Sequence, residues 1–296
     1  MLTIDTINKQ FGQKQVLRDL SFNVRPGEMF GFCGANGAGK TTTMRIILGL
    51  LTADSGTVTW QDTPLTRAVR RTIGYMPEER GLYPKMRPVE QLAYFGQLHG
   101  LGSAQATRAA EQWLERLGVV MGPKDTIDKL SLGNQQKVQL AAALVHDPSI
   151  LVLDEPFSGL DPVAVDALAD GLLEKAKAGV PVIFSSHQLD LVERLCDSVG
   201  IINGGEMVAT GTVEELRARE SRKQLELTVT GAGAGWAAKL PHAIGAQENG
   251  NRALVTPDSP ESAPAILTAA MQLGTVEQFG WKTPNLAEIF RGAVAA

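Results

Sequence analysis

The chain has 296 residues, a formal net charge of -4 and 20% charged residues. This length suits one large domain, or a large domain with a small one, and the negative balance provides no broad attraction for nucleic acid. The longest apolar runs are too short to cross a bilayer, and the start MLTIDTINKQ lacks the features of a secretory signal. We therefore expect a protein that is soluble or peripheral to a partner, with Cys33 and Cys196 as buried thiols in a reducing compartment.

The first part of the chain reads as strand, glycine loop and helix. Leu20, Phe22 and Val24 alternate as in a strand, and MFGFC (residues 29–33) is a short, mostly apolar run that suits a buried strand. It leads directly into GANGAGKT (residues 34–41), and TTTMRIILGLL (residues 41–51) then predicts a buried helix. This context favours a phosphate-binding loop over an empty turn.

Helical patterns dominate from about residue 86 to about residue 147. Apolar strands return with ILVLDE (residues 150–155), VPVIFSSH (residues 180–187) and VGIIN (residues 199–203), and a helical segment separates the first two. Alternating strands and helices predict a parallel sheet with crossover helices. We therefore interpret the residues 86–147 as a helical insertion in an α/β core.

The character changes after about residue 215. The stretch LRARESRKQ (residues 216–224) is charged and reads as a helix end and linker. Three strands (residues 225–230, 252–256 and 275–281) and a helix (residues 262–274) follow, with GAGAG as a flexible loop. A last helix is predicted in TPNLAEIF, with Thr283 as N-cap and Pro284 at the first helical position, which completes a small α+β domain.

The glycine loop carries the first group of candidate binding residues. Its backbone amides and the helix N-terminus can converge on phosphate oxygens, Lys40 supplies a charge for the β- and γ-phosphates, and the Thr41 hydroxyl is suited to Mg²⁺. We expect nucleotide binding by Asn36, Gly37, Ala38, Gly39, Lys40, Thr41 and Thr42.

Two strand ends carry the candidate catalytic groups. Asp154 and Glu155 emerge at the carboxyl end of a buried strand, where ligands of parallel sheets bind. We expect Asp154 to hold Mg²⁺ and Glu155 to polarise the attacking water; the alternative is an acidic pair that caps the next turn. His187 follows another strand and could donate a hydrogen bond to a γ-phosphate oxygen, or it could be structural.

A second phosphate-binding element is present in LSLGNQQKVQLAAAL (residues 130–144). A serine, a glycine and backbone amides stand at the start of a helix with an apolar face. The hydroxyl of Ser131 and the amide of Gly133 could bind phosphate together with the helix dipole. Ser131 could equally be a plain N-cap.

In order, GANGAGKT, LSLGNQQK, ILVLDEP, SGLD and SSH resemble the ATP-binding subunit of an ABC transporter, over roughly residues 1 to 215. The resemblance implies that Ser131, Gly133 and Asn134 of LSLGNQQ bind the γ-phosphate of the ATP held by a second, head-to-tail subunit. It also implies that Phe11 stacks on adenine, that Asp161 of SGLD meets its counterpart across the dimer, that Glu155 is the general base and that His187 is the switch histidine. Phe11 as core and Asp161 as an N-cap are the structural alternatives.

Two positions depart from the family pattern. LSLGNQQ replaces the commonest form LSGGQ at Leu132 and Asn134, whereas Ser131 and Gly133 are retained. Glu78 stands where a glutamine usually contacts Mg²⁺; a carboxylate still offers oxygen but adds charge and cannot donate. The stretch IGYMPEERGLYPKM and the C-terminal TPNLAEIF resemble an exporter subgroup similar to bacterial sodium-extrusion ATPases.

The prediction is therefore an α/β fold, with a P-loop NTPase core of the ABC ATPase type in residues 1–218, a helical subdomain at about 86–147 and a small α+β domain in residues 219–296. The resemblance implies ATP and Mg²⁺ as cofactors, a second ATP-binding subunit and an integral-membrane permease as partners, and a location on the cytoplasmic face of the cell membrane. An importer subunit with a regulatory C-terminal domain and a soluble ABC ATPase without a transport role remain as alternatives.

Overall fold

The computed structural model describes residues 1–79, 81–220 and 224–295. The chain divides into two compact units, the first from Met1 to Val213 together with the last residues from Ala293 onward, and the second from Glu214 to Gly292. Residues 221–223 of the predicted linker lie outside the described residues. Among the described residues, no helix combines the length and apolar character that a membrane crossing needs.

The first unit is built on two sheets within the described residues. Its strands are β1 (Leu2–Phe11), β2 (Lys14–Val24), β3 (Met29–Gly34), β4 (Ser55–Trp60), β5 (Thr63–Pro64), β6 (Ile73–Met76), β7 (Ile150–Asp154), β8 (Val182–Ser186), β9 (Ser198–Asn203) and β10 (Glu206–Thr212). One sheet has the order β2-β1-β4-β5 and is antiparallel; the other has the order β10-β9-β3-β8-β7-β6. All pairs of the second sheet are parallel except β10 with β9, which agrees with the predicted parallel sheet.

The central parallel strands are apolar because both faces of the sheet are covered. Every residue of β3 and β7 is buried. Between the two sheets, Phe22 of β2 stacks on Phe30 of β3 with ring centroids 5.0 Å apart, and the same core contains Met44 and Ile47 of the helix after β3. This core fixes the strand ends that bear the candidate site.

The helices of the first unit are α1 (Lys40–Leu48), α2 (Arg67–Arg70), α3 (Pro88–Leu98), α4 (Ser103–Arg116), α5 (Leu132–Leu144), α6 (Pro162–Lys177) and α7 (Leu189–Leu195), with a short 3₁₀ helix at Ile127–Lys129. Helix α8 (Val213–Glu220) begins at the boundary residue Val213 and otherwise belongs to the second unit. Helix α3 packs on α4, and both pack on α5. These three helices occupy the region that the sequence predicts to be helical.

The second unit has its own core. Strands β11 (Leu225–Thr230), β12 (Ala243–Asn249), β13 (Arg252–Pro257) and β14 (Thr275–Trp281) form an antiparallel sheet in the order β12-β13-β11-β14, and helix α9 (Ala263–Leu273) contributes to the core. Short 3₁₀ helices lie at Ala237–Lys239 and Pro260–Ser262. Trp236 is buried in this core, and its indole nitrogen donates to the Gly250 carbonyl at 3.1 Å.

Two sequence predictions for the second unit are incomplete or wrong. Strand β12 was not predicted, because six of its seven residues are exposed and it has no apolar alternation. Helix α10 (Leu286–Ala295) begins after the position predicted from Thr283 and Pro284. Asn285 is the cap instead: its Oδ1 accepts from the Glu288 amide at 2.9 Å, and the Glu288 carboxylate accepts from the Asn285 amide at 3.2 Å. This reciprocal pair satisfies two amides that Thr283 would leave unpaired.

Candidate functional site

The glycine loop connects β3 to α1 in a backbone conformation that only glycine adopts readily. Gly37 and Gly39 have positive φ angles of 79° and 117°. A Cβ atom at Gly39 would lie 2.5 Å from Leu17 Cδ2, and one at Gly34 would lie 2.6 Å from Ile202 Cγ2. The loop therefore packs directly on the sheet core, and the N-terminus of α1 opens toward the ligand side.

Lys40 is held by the loop that it follows. The side chain is 7% exposed, and its Nζ donates to the Gly34 carbonyl at 2.6 Å and to the Ala35 carbonyl at 3.3 Å. These two bonds fix the ammonium group among the loop amides, where phosphate oxygens would be bound.

The residue before the loop adds no charge to it. Burial raises the pKa of the Cys33 thiol to about 12, with smaller opposing effects of Lys40 and Glu155. Burial likewise raises the pKa of Cys196 well above its ordinary value. Both cysteines are free. Cys33 is buried, as the sequence predicts, whereas Cys196 is only half-buried.

A cavity of about 290 Å³ lies at this end of the sheet. Most of the predicted nucleotide and metal residues line it together with two that were not predicted, Lys14 and Val16; the lining residues are Lys14, Val16, Asn36, Gly37, Gly39, Lys40, Thr41, Thr42, Glu78, Asp154 and Glu155. Ala38 is 5% exposed and does not line the cavity. The carboxyl ends of the parallel strands thus gather residues more than a hundred positions apart.

Asp154 is bound through both of its carboxylate oxygens. Its side chain is 1% exposed; Oδ2 accepts from Thr41 Oγ1 at 2.8 Å, and Oδ1 accepts from Ser185 Oγ at 2.5 Å. Register explains the second contact, because Asp154 of β7 is paired with Ser185 of β8.

The oxygen atoms around this carboxylate suit Mg²⁺. The Thr41 hydroxyl and the carboxylates of Asp154 and Glu78 all line the cavity, and each is a hard oxygen ligand. The described residues contain no group of three or more His, Cys, Asp and Glu side chains that could hold a metal by themselves. This donor set fits an ion that keeps water and phosphate oxygens as its remaining ligands, as Mg²⁺ does.

Glu155 has an unusual backbone conformation for a side-chain-bearing residue. Its φ angle is 50°, in the left-handed region, and it is 8% exposed. Its amide donates to Ser185 Oγ at 2.9 Å. Its Oε2 lies 2.8 Å from His187 Nδ1, and the imidazole is 60% exposed. The left-handed turn therefore directs the carboxylate to the cavity and to the histidine, and the other imidazole nitrogen is left for a second partner.

Ser185 is a residue that sequence reasoning missed. It is fully buried, and its single hydroxyl donates to Asp154 and accepts from the amide of Glu155. The sequence does contain a signal for this contact. Ser185 stands near the end of the strand VIFSS, and a neighbouring parallel strand would place it beside Asp154 at the end of ILVLD. Ser185 links the proposed metal ligand to the proposed base.

The residues of the second phosphate-binding element lie elsewhere. None of Ser131, Gly133 and Asn134 is among the described residues that line the cavity. Ser131 is the N-cap of α5, and its Oγ accepts from the Asn134 amide at 3.3 Å. The Asn134 side chain bonds to the amide and carbonyl of Val120, both at 3.1 Å. This element is therefore built as a helix start separate from the chain's own cavity.

Phe11 and Asp161 complete the predicted set. Phe11 is 49% exposed, with Lys9 Nζ 5.5 Å from its ring centroid, so it is not a core residue. Asp161 is the N-cap of α6, and its Oδ1 accepts from the Ala164 amide at 2.9 Å. The helix-cap alternative thus holds for Asp161, and it leaves the second carboxylate oxygen for another contact.

Comparisons with known proteins match both units. The family model "ABC transporter" matches residues 17–158, and the model "ATP-binding protein DrrA1-3-like, C-terminal domain" matches residues 211–294. The ABC transporter ATP-binding protein YhaQ of Bacillus subtilis is 42% identical over 227 residues, which cover 77% of this chain and 76% of that protein.

Two further matches extend this result. The daunorubicin resistance ATP-binding protein DrrA3 of Streptomyces coeruleorubidus is 30% identical over 98% of this chain and 94% of its own length. A solved structure described as an ATP-binding subunit of an ABC transporter is 31% identical, with a TM-score of 0.69, over 74% of this chain and 93% of that one. The chain therefore belongs to the ATP-binding subunits of ABC transporters, which are ATPases, and it carries a DrrA-like C-terminal domain.

Proposed function

We propose that this chain is the ATP-hydrolysing motor subunit of an exporter and drives a separate integral-membrane permease from the cytoplasmic face of the membrane. The observation that carries the ATPase part is that Lys40, Thr41, Asp154 and Glu155 line the same cavity. The export part rests on the relative named for daunorubicin resistance, because that match spans 98% of this chain and therefore includes the C-terminal domain.

The chain's own residues divide the chemistry between binding and proton transfer. Lys40 and the loop amides bind the β- and γ-phosphates, with Phe11 stacked on the adenine. Thr41, Asp154 and Glu78 would hold Mg²⁺, and the ion would supply charge neutralisation to the phosphates. Glu155 orients a water molecule and accepts its proton as the water oxygen bonds to the γ-phosphorus and the bond to the ADP oxygen breaks. His187, held at Glu155 through Nδ1, donates to a γ-phosphate oxygen through Nε2.

Two subunits act together in this proposal. Ser131, Gly133 and Asn134 stand at the start of α5 and do not line the chain's own cavity, whereas Leu132 beside them is 60% exposed. A second ATP-binding subunit, packed head to tail, would place its nucleotide against this helix start, with Asp161 near its counterpart. ATP then closes the pair, and hydrolysis opens it.

The cargo is a separate prediction. The loop around Glu78 and the C-terminal domain resemble those of bacterial sodium-extrusion ATPases, whereas the relative that spans both units is named for daunorubicin resistance. Sodium ions and amphiphilic drugs are therefore the two cargo classes to assay first in vesicles that contain the permease.

The decisive experiment measures ATP-dependent dimerisation of Glu155→Gln by light scattering, beside the steady-state ATPase activity of the wild type. We expect a dimer only with Mg-ATP, loss of turnover in this variant, and loss of the dimer when Ser131→Arg is added. Ser103→Arg is the matched control, because Ser103 is an exposed serine at the start of α4.

Three results would contradict the proposal. Full turnover in Glu155→Gln would show that the base is misassigned. A dimer that survives Ser131→Arg would show that the helix start does not bind the neighbour's nucleotide. If the chain purifies from its native host with no integral-membrane protein bound, the proposed role in transport is wrong.

A further inference from the structure

The buried face of α5 carries two amide side chains among apolar ones. Gln136 is 6% exposed and Gln139 is 3% exposed, whereas the other buried residues of the helix are apolar, namely Val138, Leu140, Ala141, Ala143 and Leu144. Positions three apart in a helix lie on neighbouring turns of the same face. The two glutamines therefore form a polar row inside a packed interface.

Each glutamine ends on the backbone of a loop that carries a residue of the nucleotide site. Gln136 Nε2 donates to the Pro156 carbonyl at 3.0 Å, and Pro156 directly follows Glu155. Gln139 Nε2 donates to the Pro77 carbonyl at 2.6 Å and to the Glu79 carbonyl at 3.3 Å. Pro77 and Glu79 stand on either side of Glu78.

The neighbouring glutamine shows that these contacts are specific. Gln135, one position before Gln136, donates to the carbonyls of Ile127 and Leu130 at 3.1 and 2.9 Å, which belong to the segment that leads into α5. Only the two buried glutamines among the three reach the loops of Glu78 and Glu155.

Packing alone does not account for Gln139. Its Oε1 is buried and has no hydrogen-bond partner in the described part of the chain, which costs free energy that an apolar residue of the same length would not cost. The side-chain amide nitrogen of Gln139 offsets this cost, because it donates to both carbonyls that flank Glu78.

Helix α5 also links the hydrogen bonds of Gln136 and Gln139 mechanically to the helix start at Ser131. A helix advances about 1.5 Å per residue, so the Gln136 and Gln139 backbones stand roughly 7.5 and 12 Å along the axis from Ser131. A rigid shift of α5 by about 1 Å would stretch bonds of 2.6 and 3.0 Å beyond the range of a good hydrogen bond unless the loops follow.

We propose that Gln136 and Gln139 are positioning residues through which α5 sets the places of Glu155 and Glu78 in its own site. This inference rests on the proposed function, in which the start of the same helix binds the nucleotide of the neighbouring subunit. A nucleotide bound by the neighbouring subunit thus shifts the Glu78 loop and Glu155 of this subunit through helix α5. The two nucleotide sites of the dimer are coupled in this way.

The test replaces each amide with a side chain of similar length and no hydrogen-bonding nitrogen, in the full chain. In Gln139→Met, we expect the Mg²⁺ concentration that gives half-maximal ATPase activity to rise about five- to tenfold, as the loss of the short bond to Pro77 and the longer one to Glu79 implies. In Gln136→Met, we expect kcat to fall by a similar factor while the Mg²⁺ dependence stays at the wild-type value. Cooperativity in ATP should decrease in both.

Gln91→Met is the matched control. Gln91 is a fully buried glutamine on α3, and neither of its amide atoms has a hydrogen-bond partner in the described part of the chain. We expect unchanged Mg²⁺ dependence and kcat. If Gln139→Met does not fold, Gln139→Asn keeps the amide but shortens it by one methylene group, and it should shift the Mg²⁺ dependence in the same direction.

The outcomes separate the inference from the function beneath it. A failure of Glu155→Gln to dimerise with ATP would overturn the proposed function and this inference with it. An ATP-dependent dimer, combined with a wild-type Mg²⁺ dependence in both Gln139 variants, would overturn this inference alone. Equal shifts in Gln91→Met would show a general effect of buried polar groups.

Discussion

Replacing Ser185 with alanine tests the link between the proposed metal ligand and the proposed base. The change removes one oxygen atom from a fully buried position. Asp154 Oδ1 loses a donor at 2.5 Å, and the Glu155 amide loses an acceptor at 2.9 Å. Alanine fills nearly the same space, so the effect reports hydrogen bonding rather than packing.

The expected magnitude follows from those two bonds. A hydrogen bond to a charged group contributes about 1.5–3 kcal/mol and a neutral one about 0.5–1.5 kcal/mol, so the first unit should lose about 2–4 kcal/mol of stability. Glu155 holds a left-handed φ angle of 50°, a conformation that persists only when its surroundings impose it. Loss of the amide bond should let the carboxylate move, and a displacement of about 1 Å lowers kcat by about 10- to 100-fold.

Steady-state ATPase kinetics and calorimetric unfolding measure the two effects separately. Ser198→Ala is the matched control, since Ser198 is a buried serine bonded to the Glu28 carboxylate and lies at the start of β9, opposite Phe30. We expect the control to unfold at a lower temperature with kcat unchanged. If Ser185→Ala keeps a kcat within about twofold of the wild type, Ser185 supports the fold alone and the reasoning is wrong.

Three further predictions concern other parts of the chain. Phe11→Ala should raise the KM for ATP about tenfold or more, the value of one stacked base, with little change in thermal stability, and Phe11→Trp should retain binding. Burial, aided by the neighbouring His99, lowers the pKa of His146 from 6.5 to about 4. The unfolded chain therefore binds the extra proton first, so stability should fall by up to about 3 kcal/mol as the pH drops from 6.5 toward 4; His146→Phe should show a flatter profile in pH-dependent unfolding. Asn285→Ala should cost about 1 kcal/mol in urea unfolding through loss of the α10 cap, whereas Thr283→Ala should be nearly neutral; equal losses would contradict the assigned cap.

The sequence predicts the part of the site that lies on regular elements. Strand, glycine loop and helix follow from the run MFGFC and from the glycines, and the carboxyl ends of parallel strands then bring Asp154 beside Lys40 and Thr41. These relations follow from the hydrophobic periodicity of the sequence and from the general rule that crossovers between parallel strands are right-handed.

The remaining features depend on contacts between distant positions. The hydrogen bond from Ser185 to Asp154 depends on the register of β7 on β8. The left-handed φ angle of Glu155 could not be predicted, because the residue at this position is not a glycine. Strand β12 is exposed along most of its length, so its pairing with β13 leaves no apolar alternation. The sequence offers a competing cap, Thr283 followed by Pro284, two residues before Asn285, and the reciprocal bond of Asn285 with Glu288 decides between them.

The two thiols have a practical consequence for labelling. Cys33 and Cys196 are held as neutral thiols by burial, and the thiolate is the form that reacts with maleimides and methanethiosulfonates. Both native thiols should therefore react more slowly than a new, exposed cysteine, for example one placed at Val120, whose side chain is 77% exposed. Spin labels or fluorophores there could follow the approach of two subunits without removal of either native cysteine.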